Sequence, residues 1–524
     1  MSATLSWLEV LAAIAPIAVI LVLMVFFQKS AAVAGIGGLV LTVLLAAFYF
    51  GFPELAASNR EVLLGLVGSS AEAGFTAATI LWIIFGALCV HQLQLKTGAI
   101  DSLRHHIGAL SDDPRLVAIL VAWFFALFME GAAGFGTPIA LAAPFLVGFG
   151  VPPVQAVTIV LIGHSVGVSF GAVGTPVMPQ LAVTDWTGLE IARTTGELHA
   201  LLGAVMLAFV LALVTRRARN NDQKLVPIGR WFLLAAAGFL LPMWVISRWV
   251  GPELPTMGGA LIGGAIFVIA LHVARRFKRR DDDSKTTSSS DAEATDDDHM
   301  ALWRAVSPYA VVITIILITR LVEPVQSSLM AIEIQWTLWE LFEGQFRPLY
   351  HPGTILVLGA FCGAWLQGAS RQTTAEATRA ALKMLVPVTI ALVAMLTISR
   401  LMVHTTMIDV LAEAAALTTG PFWPMVAPVV GVLGTFVTGS ATASNILFTD
   451  FQIATADRLN FDELRLIGAQ GFGAAVGNII CPHNVIAGCA TVGIAGREGE
   501  VLRRTLGACL LYVALGGILV WFLI

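Results

Sequence analysis

Glu130 is the residue on which chemistry is easiest to place. It closes an uninterrupted apolar run, Leu116–Met129, that begins just after Arg115. Fifteen residues of helix rise about 22 Å, so a straight helix starting at a membrane surface carries Glu130 well into hydrocarbon. A carboxyl group at that depth is costly and by default functional, here as a candidate carrier of an exchangeable proton. The plainer alternative is a structural glutamate that accepts hydrogen bonds from the amides that follow it. Those amides belong to Gly131-Ala-Ala-Gly-Phe-Gly-Thr-Pro138, in which Gly131, Gly134, Gly136 and Pro138 oppose a continuous helix. Unwound backbone is tolerated at membrane depth only where it lines protein or a wet cavity. A helix restarting near Pro138 aims its first amides, and its positive dipole end, at a bound anion. Thr137 adds a hydroxyl donor.

A second set of polar groups lies far along the chain. Ser440, Thr442, Ser444 and Asn445 crowd the stretch Thr438-Gly-Ser-Ala-Thr-Ala-Ser-Asn-Ile446. Hydroxyls and an amide hold a carboxylate or a substrate hydroxyl without a fixed charge, and some of them serve equally well as helix caps. Each small-residue break is followed, about thirty residues on, by a glycine ladder that ends in proline. The first ladder, Gly163–Pro176, carries His164, Ser165, Ser169 and Thr175. The second, Ala469–Pro482, carries Asn478, with His483 and Asn484 just beyond it. Gly167 and Gly473, Gly171 and Gly477, and Pro176 and Pro482 fall into register with one offset. Two interrupted hydrophobic segments in corresponding halves mark a transporter's binding site; glycines that merely let helices pack closely are the alternative. His164 and His483 are candidate proton relays. Asp450 is expected to cap the end of the second hairpin or to pair with Arg458.

The elements that hold these residues follow from composition. The chain has 524 residues, 57% of them apolar and only 12% charged, against about 25% charged in a soluble domain. Mean hydropathy is +0.85. Runs such as Leu8–Phe27, Ala31–Phe50, Trp231–Val250 and Leu506–Ile524 suit helices that cross about 30 Å of hydrocarbon. With the shorter runs and the glycine-rich segments, about 12–14 crossings or half-crossings are expected, which excludes a soluble enzyme. The first run is read as a retained helix, since no basic residue precedes it and no small-residue cleavage site follows it. The five cysteines sit in apolar surroundings without metal-ligand spacing and are read as small hydrophobes. No metal or other cofactor is called for, and no nucleic-acid partner. No Walker A loop appears, so the energy for transport is expected from an ion gradient.

Basic clusters at Lys96–Arg115, Arg216–Arg219, Arg275–Arg280 and Arg371–Lys383 recur at every second helix, which places those loops in the cytoplasm. The stretch Asp281–Asp298 is acidic, rich in serine and free of large apolar residues, so it is expected to be an unstructured linker. Residues 1–274 then form an N-terminal transmembrane half, 275–302 the cytoplasmic linker and 303–524 a C-terminal half. Glu333–Tyr350 is too polar to span, and its tryptophans and phenylalanines suit an amphipathic helix lying at the interface.

Lys96-Thr-Gly, Leu110-Ser-Asp-Asp-Pro-Arg115, Glu130-Gly-Ala-Ala-Gly-Phe-Gly-Thr-Pro138, Phe170-Gly-Ala-Val-Gly174 and Gly439-Ser-Ala-Thr-Ala-Ser-Asn445 together resemble the L-lactate permease family. The resemblance covers nearly the whole chain outside the acidic linker. It implies proton-coupled symport of 2-hydroxymonocarboxylates such as lactate and glycolate across the cytoplasmic membrane. It also implies an all-α polytopic fold of two inverted repeats with re-entrant hairpins, a scaffold beside a transport domain, and a homodimer. This chain departs from the family pattern at Ala441 and His164, where the pattern has asparagine, and at Asn478, where it has lysine. Cys481-Pro-His-Asn484 stands for Ser-Pro-Gln-Ser. If that lysine neutralises the substrate carboxylate, a protonated His164 or His483 is left to replace it. A Na⁺-coupled or differently selective organic-anion carrier is the neighbouring alternative. A channel or an intramembrane enzyme is the distant one: Ser165 beside His164 is the only adjacent nucleophile and base, and helical neighbours point to different faces.

Overall fold

The structure, a computed structural model, describes residues 6–25, 27, 29–55, 60–108, 111, 113–134, 136–220, 227–283 and 300–524. Among these residues, twelve helices are long and apolar enough to cross a membrane, as the apolar runs predict. Local signals start the helices that matter for the site. The Asp113 carboxylate accepts from the Arg115 amide ahead of Pro114, and the Asp462 carboxylate accepts from the Arg465 amide. Thr187 and Glu190 close a reciprocal capping box.

The helices pack as two groups, and each half of the chain contributes first to one and then to the other. The first group is built on two very long helices, Glu61–Lys96 and Arg371–His404, with Ala31–Leu45 and Pro352–Gln367 against them and Leu302–Leu321 packed on Pro352–Gln367. Close approach depends on absent side chains: a Cβ on Gly86 would lie 2.6 Å from Leu356 Cβ, and one on Gly359 2.2 Å from Val312 Cγ2. The second group holds the described residues of 114–283 and 407–523.

Within the second group both halves show the same order of elements. In the first half the helical segments covering Pro114–Ala132 lead to the helix Thr137–Gly148, and the rings of Phe125 and Phe145 meet at 6.1 Å. The chain therefore doubles back at the glycine-rich break and forms a helical hairpin. In the second half Trp423–Thr438 leads to Ala441–Leu459, with Trp423 and Phe451 at 5.3 Å and the Ser444 hydroxyl donating to the Gly431 carbonyl at 2.9 Å. That hairpin turns at Gly439 and Ser440, where Gly439 is left-handed with φ of 80°.

A broken helix follows each hairpin. Pro153–His164 passes into a 3-10 segment, Ser165–Phe170, and then into a left-handed turn. Ala172 and Val173 have φ of 42° and 55°, and Gly174 follows at 79°. Left-handed backbone costs about 1–2 kcal/mol for each non-glycine residue, and a β-branched valine is its worst occupant. The surrounding packing holds the strain in place: Val173 is fully buried, and the loop at Pro252 and Glu253 covers Gly174. The 3-10 segment leaves the Gly167 carbonyl free to accept from the Thr256 hydroxyl at 2.7 Å. In the second half Glu463–Gly477 breaks over residues 478–481 and restarts as Pro482–Thr491.

Two expectations are corrected. Glu333–Tyr350 is not an interfacial helix but carries an antiparallel β-hairpin, β1 Ile334–Leu338 and β2 Phe342–Phe346, with Leu338 opposite Phe342. Its apolar residues alternate with polar ones, and period two suits a strand. Phe342 is fully buried over Gly68, which anchors the hairpin on the long helix Glu61–Lys96. The helix Pro255–Asp283 runs on through residues 275–283, which the sequence assigned to the linker. The rest of the acidic stretch, 284–299, lies outside the described residues. Of the cysteines, four are buried as expected and Cys362 is exposed.

Candidate functional site

The hairpin and the broken helix of the first half bring Glu130 and His164 together. Both are buried, and the His164 Nε2 lies 3.9 Å from the Glu130 Oε2. His164 stands at the last turn before the 3-10 segment, where the ladder begins to lose its helical bonds. Its Nδ1–H donates to the Val160 carbonyl at 2.6 Å, and its Nε2 lies 3.2 Å from the Asn478 Oδ1. Both ring nitrogens thus face acceptor oxygens, an arrangement that suits an imidazolium ion beside a carboxylate. With the proton moved to Glu130, the same pair is neutral. Gly171 makes room for the carboxyl group, since a Cβ there would lie 2.2 Å from Glu130 Oε1.

The chain of polar groups continues into the second half. The Asn484 amide donates to the Asn478 Oδ1 at 2.7 Å. Asn484 sits in the first turn of the helix Pro482–Thr491, and the tips of both hairpins come to that turn. A Cβ on Gly136 would lie 3.6 Å from Asn484 Oδ1, and one on Gly439 3.5 Å from His483 Cβ. Each hairpin also leans on the broken helix of the opposite half. The Asn445 amide donates to the Pro176 carbonyl at 2.7 Å, while Gly488 packs against Ile139 and Val157.

The candidate residues therefore separate into two sets. Glu130, His164, Asn478, Asn484, Gly134, Gly136 and Gly439 converge. Thr137 at the first hairpin tip, with Ser440 and Thr442 at the second, belong with them. Among the described residues their three side-chain hydroxyls make no hydrogen bond, so they stay available at two helix starts that no side chain caps. His483 is exposed and packs beside Gly439 instead of joining the buried chain.

The second set is spent on structure. Ser165 and Thr175 donate back to the carbonyls of Ile162 and Ala172. Ser169 donates to the Gly471 carbonyl and lies 2.9 Å from His199 Nε2. Gly131 is a packing glycine, since a Cβ there would lie 2.4 Å from the Met257 amide nitrogen. Ser444 and Asn445 brace the second hairpin against Gln470, which also bonds Gln452.

A charge cluster that the sequence does not announce joins the two groups. Arg400, near the end of the long helix Arg371–His404, pairs with Asp450 of the second hairpin and lies 3.5 Å from Glu72 of Glu61–Lys96. His404 Nε2 lies 3.0 Å from Glu72 Oε2. Asp450 does not cap its helix or pair with Arg458, which instead pairs with Glu413 and lies 3.8 Å from Asp409. Arg320 and Glu253 make a second buried pair between the two groups, at 2.7 Å. The signal for Arg400 was the one used for Glu130: a charge closing an apolar run, here Met384–Ile398.

Twelve candidate spans, two helical hairpins and two broken helices that meet at a buried polar chain define a multi-pass membrane transporter. A family model for L-lactate permease matches residues 9–524, and the chain belongs to that family. An L-lactate permease of Streptococcus iniae is 28% identical over 462 residues, 87% of this chain and 92% of the relative. The glycolate permease GlcA of Escherichia coli K12 is 26% identical over 98% of this chain and 95% of the relative. In fold the chain is similar to the YdaH transporter of Alcanivorax borkumensis, with a TM-score of 0.52 at 14% identity over 94% of this chain and 98% of that one.

Proposed function

We propose that this permease couples the uptake of a short 2-hydroxymonocarboxylate, L-lactate or glycolate, to the entry of a proton across the cytoplasmic membrane. The observation that carries the reading is the buried contact between Glu130 and His164, 3.9 Å apart and linked through Asn478 and Asn484 to the meeting point of both hairpin tips. In this reading the proton rests on the Glu130–His164 pair. The anion lies over the helix starts at Thr137, Ala441 and Pro482, where unpaired amides and dipoles favour negative charge. The hydroxyls of Thr137, Ser440 and Thr442 bond its carboxylate and its 2-hydroxyl group, and His483 stands at the rim. Asn478 passes occupancy of one site to the other, because its Oδ1 faces both His164 and Asn484.

The hairpins and broken helices, as two inverted repeats, form the moving unit, and the long helices of the first group form the scaffold. The relatives' names support the substrate class: one is called an L-lactate permease and another a glycolate permease.

The test is uptake of radiolabelled L-lactate and glycolate into proteoliposomes under an imposed inward proton gradient. One arm replaces that gradient with sodium. Accumulation that needs the proton gradient and is lost in Glu130→Gln, while counterflow exchange persists, supports the reading. Accumulation driven by sodium alone, or unaltered in Glu130→Gln, overturns it.

A further inference from the structure

We propose that the cleft between the helices Pro352–Gln367 and Arg371–His404 is a binding site for an anionic phospholipid of the phosphatidylglycerol class. The two helices are joined by a short turn at Gly368–Ser370, and the open cleft above it offers about 680 Å³. One wall presents Phe361 and Trp365, and the other presents Arg371, Arg379 and Leu382.

The chemistry is graded along the cleft. At the turn, Arg371 opens a helix whose first amides are only partly capped, by the Ser370 hydroxyl bonding the Thr373 amide. Arg379 lies two turns further on the same face. Neither guanidinium donates a hydrogen bond to a carboxylate among the described residues. The nearby Glu376 faces Lys96 at 3.3 Å, and the exposed Lys383 adds one more positive charge. Two guanidinium groups without a hydrogen-bonded carboxylate, beside a helix start, suit a phosphodiester, which arginine can bind in bidentate fashion.

Beyond Arg379 the exposed side of the long helix turns apolar, from Leu382 at the end of the cleft onward. Leu382, Val386 and Ile390 recur at every fourth position of the long helix and are 50%, 60% and 44% exposed. Phe361 and the 80% exposed Trp365 line the cleft with Leu382 from the other helix. The track fits an acyl chain continuing from a bound head group.

Depth agrees with this occupant. A helix of 34 residues is about 51 Å long and outreaches a hydrocarbon layer of about 30 Å. The uncharged stretch Met384–Ile398 belongs in hydrocarbon, so Arg371–Lys383 stands at the level of the head groups. Trp365 then lies where tryptophan collects, at the interface. A second copy of the chain fits less well, because a two-fold contact through this cleft sets Arg371 and Arg379 against their own equivalents.

Native mass spectrometry of the delipidated full-length protein tests the site. Phosphatidylglycerol or phosphatidylcholine with identical acyl chains is titrated back, and inorganic phosphate serves as a competitor. The protein is expected to retain phosphatidylglycerol at least fivefold better than phosphatidylcholine. Arg371→Gln/Arg379→Gln should abolish that preference, while Arg497→Gln/Arg504→Gln, on another surface, should keep it. Trp365→Ala should weaken both lipids. Equal retention of the two lipids, or an unchanged preference in Arg371→Gln/Arg379→Gln, overturns the proposal. So does displacement of the lipid by millimolar inorganic phosphate, which would make the site one for a free anion. An Arg371→Gln/Arg379→Gln protein that shifts between monomer and dimer with its lipid count intact assigns the cleft to a second copy.

Discussion

His164 from the first half and Asn478 from the second lie 3.2 Å apart, and this contact joins the buried carboxylate to the hairpin tips. The amide oxygen of Asn478 serves two neighbours, His164 and Asn484. Asn478→Leu strips both of their partner at once. Each buried polar group left unsatisfied costs about 1–3 kcal/mol. Uptake is expected to fall at least tenfold and the thermal unfolding midpoint to drop, measured on the same detergent-purified sample. A variant with unchanged uptake would separate His164 from the anion site.

Gly171 tests the carboxyl pocket without touching the carboxyl group itself. Its φ is an ordinary −66° at the start of the left-handed turn, so alanine brings no backbone strain. The added Cβ would meet Glu130 Oε1 at 2.2 Å, so the carboxyl group has to turn away from His164. Gly171→Ala should therefore impair gradient-driven uptake to nearly the degree of Glu130→Gln, and the double variant should be no worse than Glu130→Gln alone. Losses that multiply in the double variant would show that Gly171 acts elsewhere.

Glu130 and the breaks were legible because they violate the pattern around them: a charge, glycines and prolines where twenty apolar residues would otherwise run. The repeated order of break, spacer and glycine ladder was legible for the same reason. What the sequence does not carry is pairing between distant segments. Ser165, Ser169 and Thr175 are hydroxyls in the right stretch, yet their orientation on the broken helix sends them to backbone carbonyls. Asp450 was assigned a neighbour in sequence, whereas its partner Arg400 comes from a helix of the other packing group. The β-hairpin is ambiguous in the sequence because its aromatic residues satisfy helical and alternating periods over so short a span. The choice of strand depends on Gly68, 274 positions before Phe342, leaving room for that ring.

Arg400 joins the two packing groups and neutralises two carboxylates, Asp450 and Glu72. Removing one member of a buried ion pair costs about 3–5 kcal/mol, because the other charge stays behind without compensation. The cluster predicts an asymmetry. Arg400→Met leaves two carboxylates facing each other, whereas Asp450→Asn leaves the guanidinium still beside Glu72. Arg400→Met should lower the unfolding midpoint clearly more than Asp450→Asn. Adding Glu72→Gln to Arg400→Met should recover part of the loss. If the two single variants prove equally stable, Glu72 does not share the charge of Arg400.

Phe342 offers a separate check on how the β-hairpin is held. Its ring is fully buried between Gly68 and His404, with ring centroids 4.7 Å apart for the latter pair. Truncating a buried phenylalanine to alanine costs about 3–5 kcal/mol where the cavity cannot collapse. Here the two strands can detach as a unit, so the cost should appear as local release and not as global unfolding. Phe342→Ala is expected to make the chain cleavable by a protease at the strand loop, Trp339–Leu341, while the overall midpoint moves by only a few degrees. Filling the opposite side should do the same, because a Cβ on Gly68 would meet the Phe342 ring at 2.1 Å. Gly68→Val should therefore expose the loop with Phe342 left in place. Resistance to cleavage in both variants would mean that other contacts, such as Trp336 against Phe75 at 5.7 Å, hold the hairpin down.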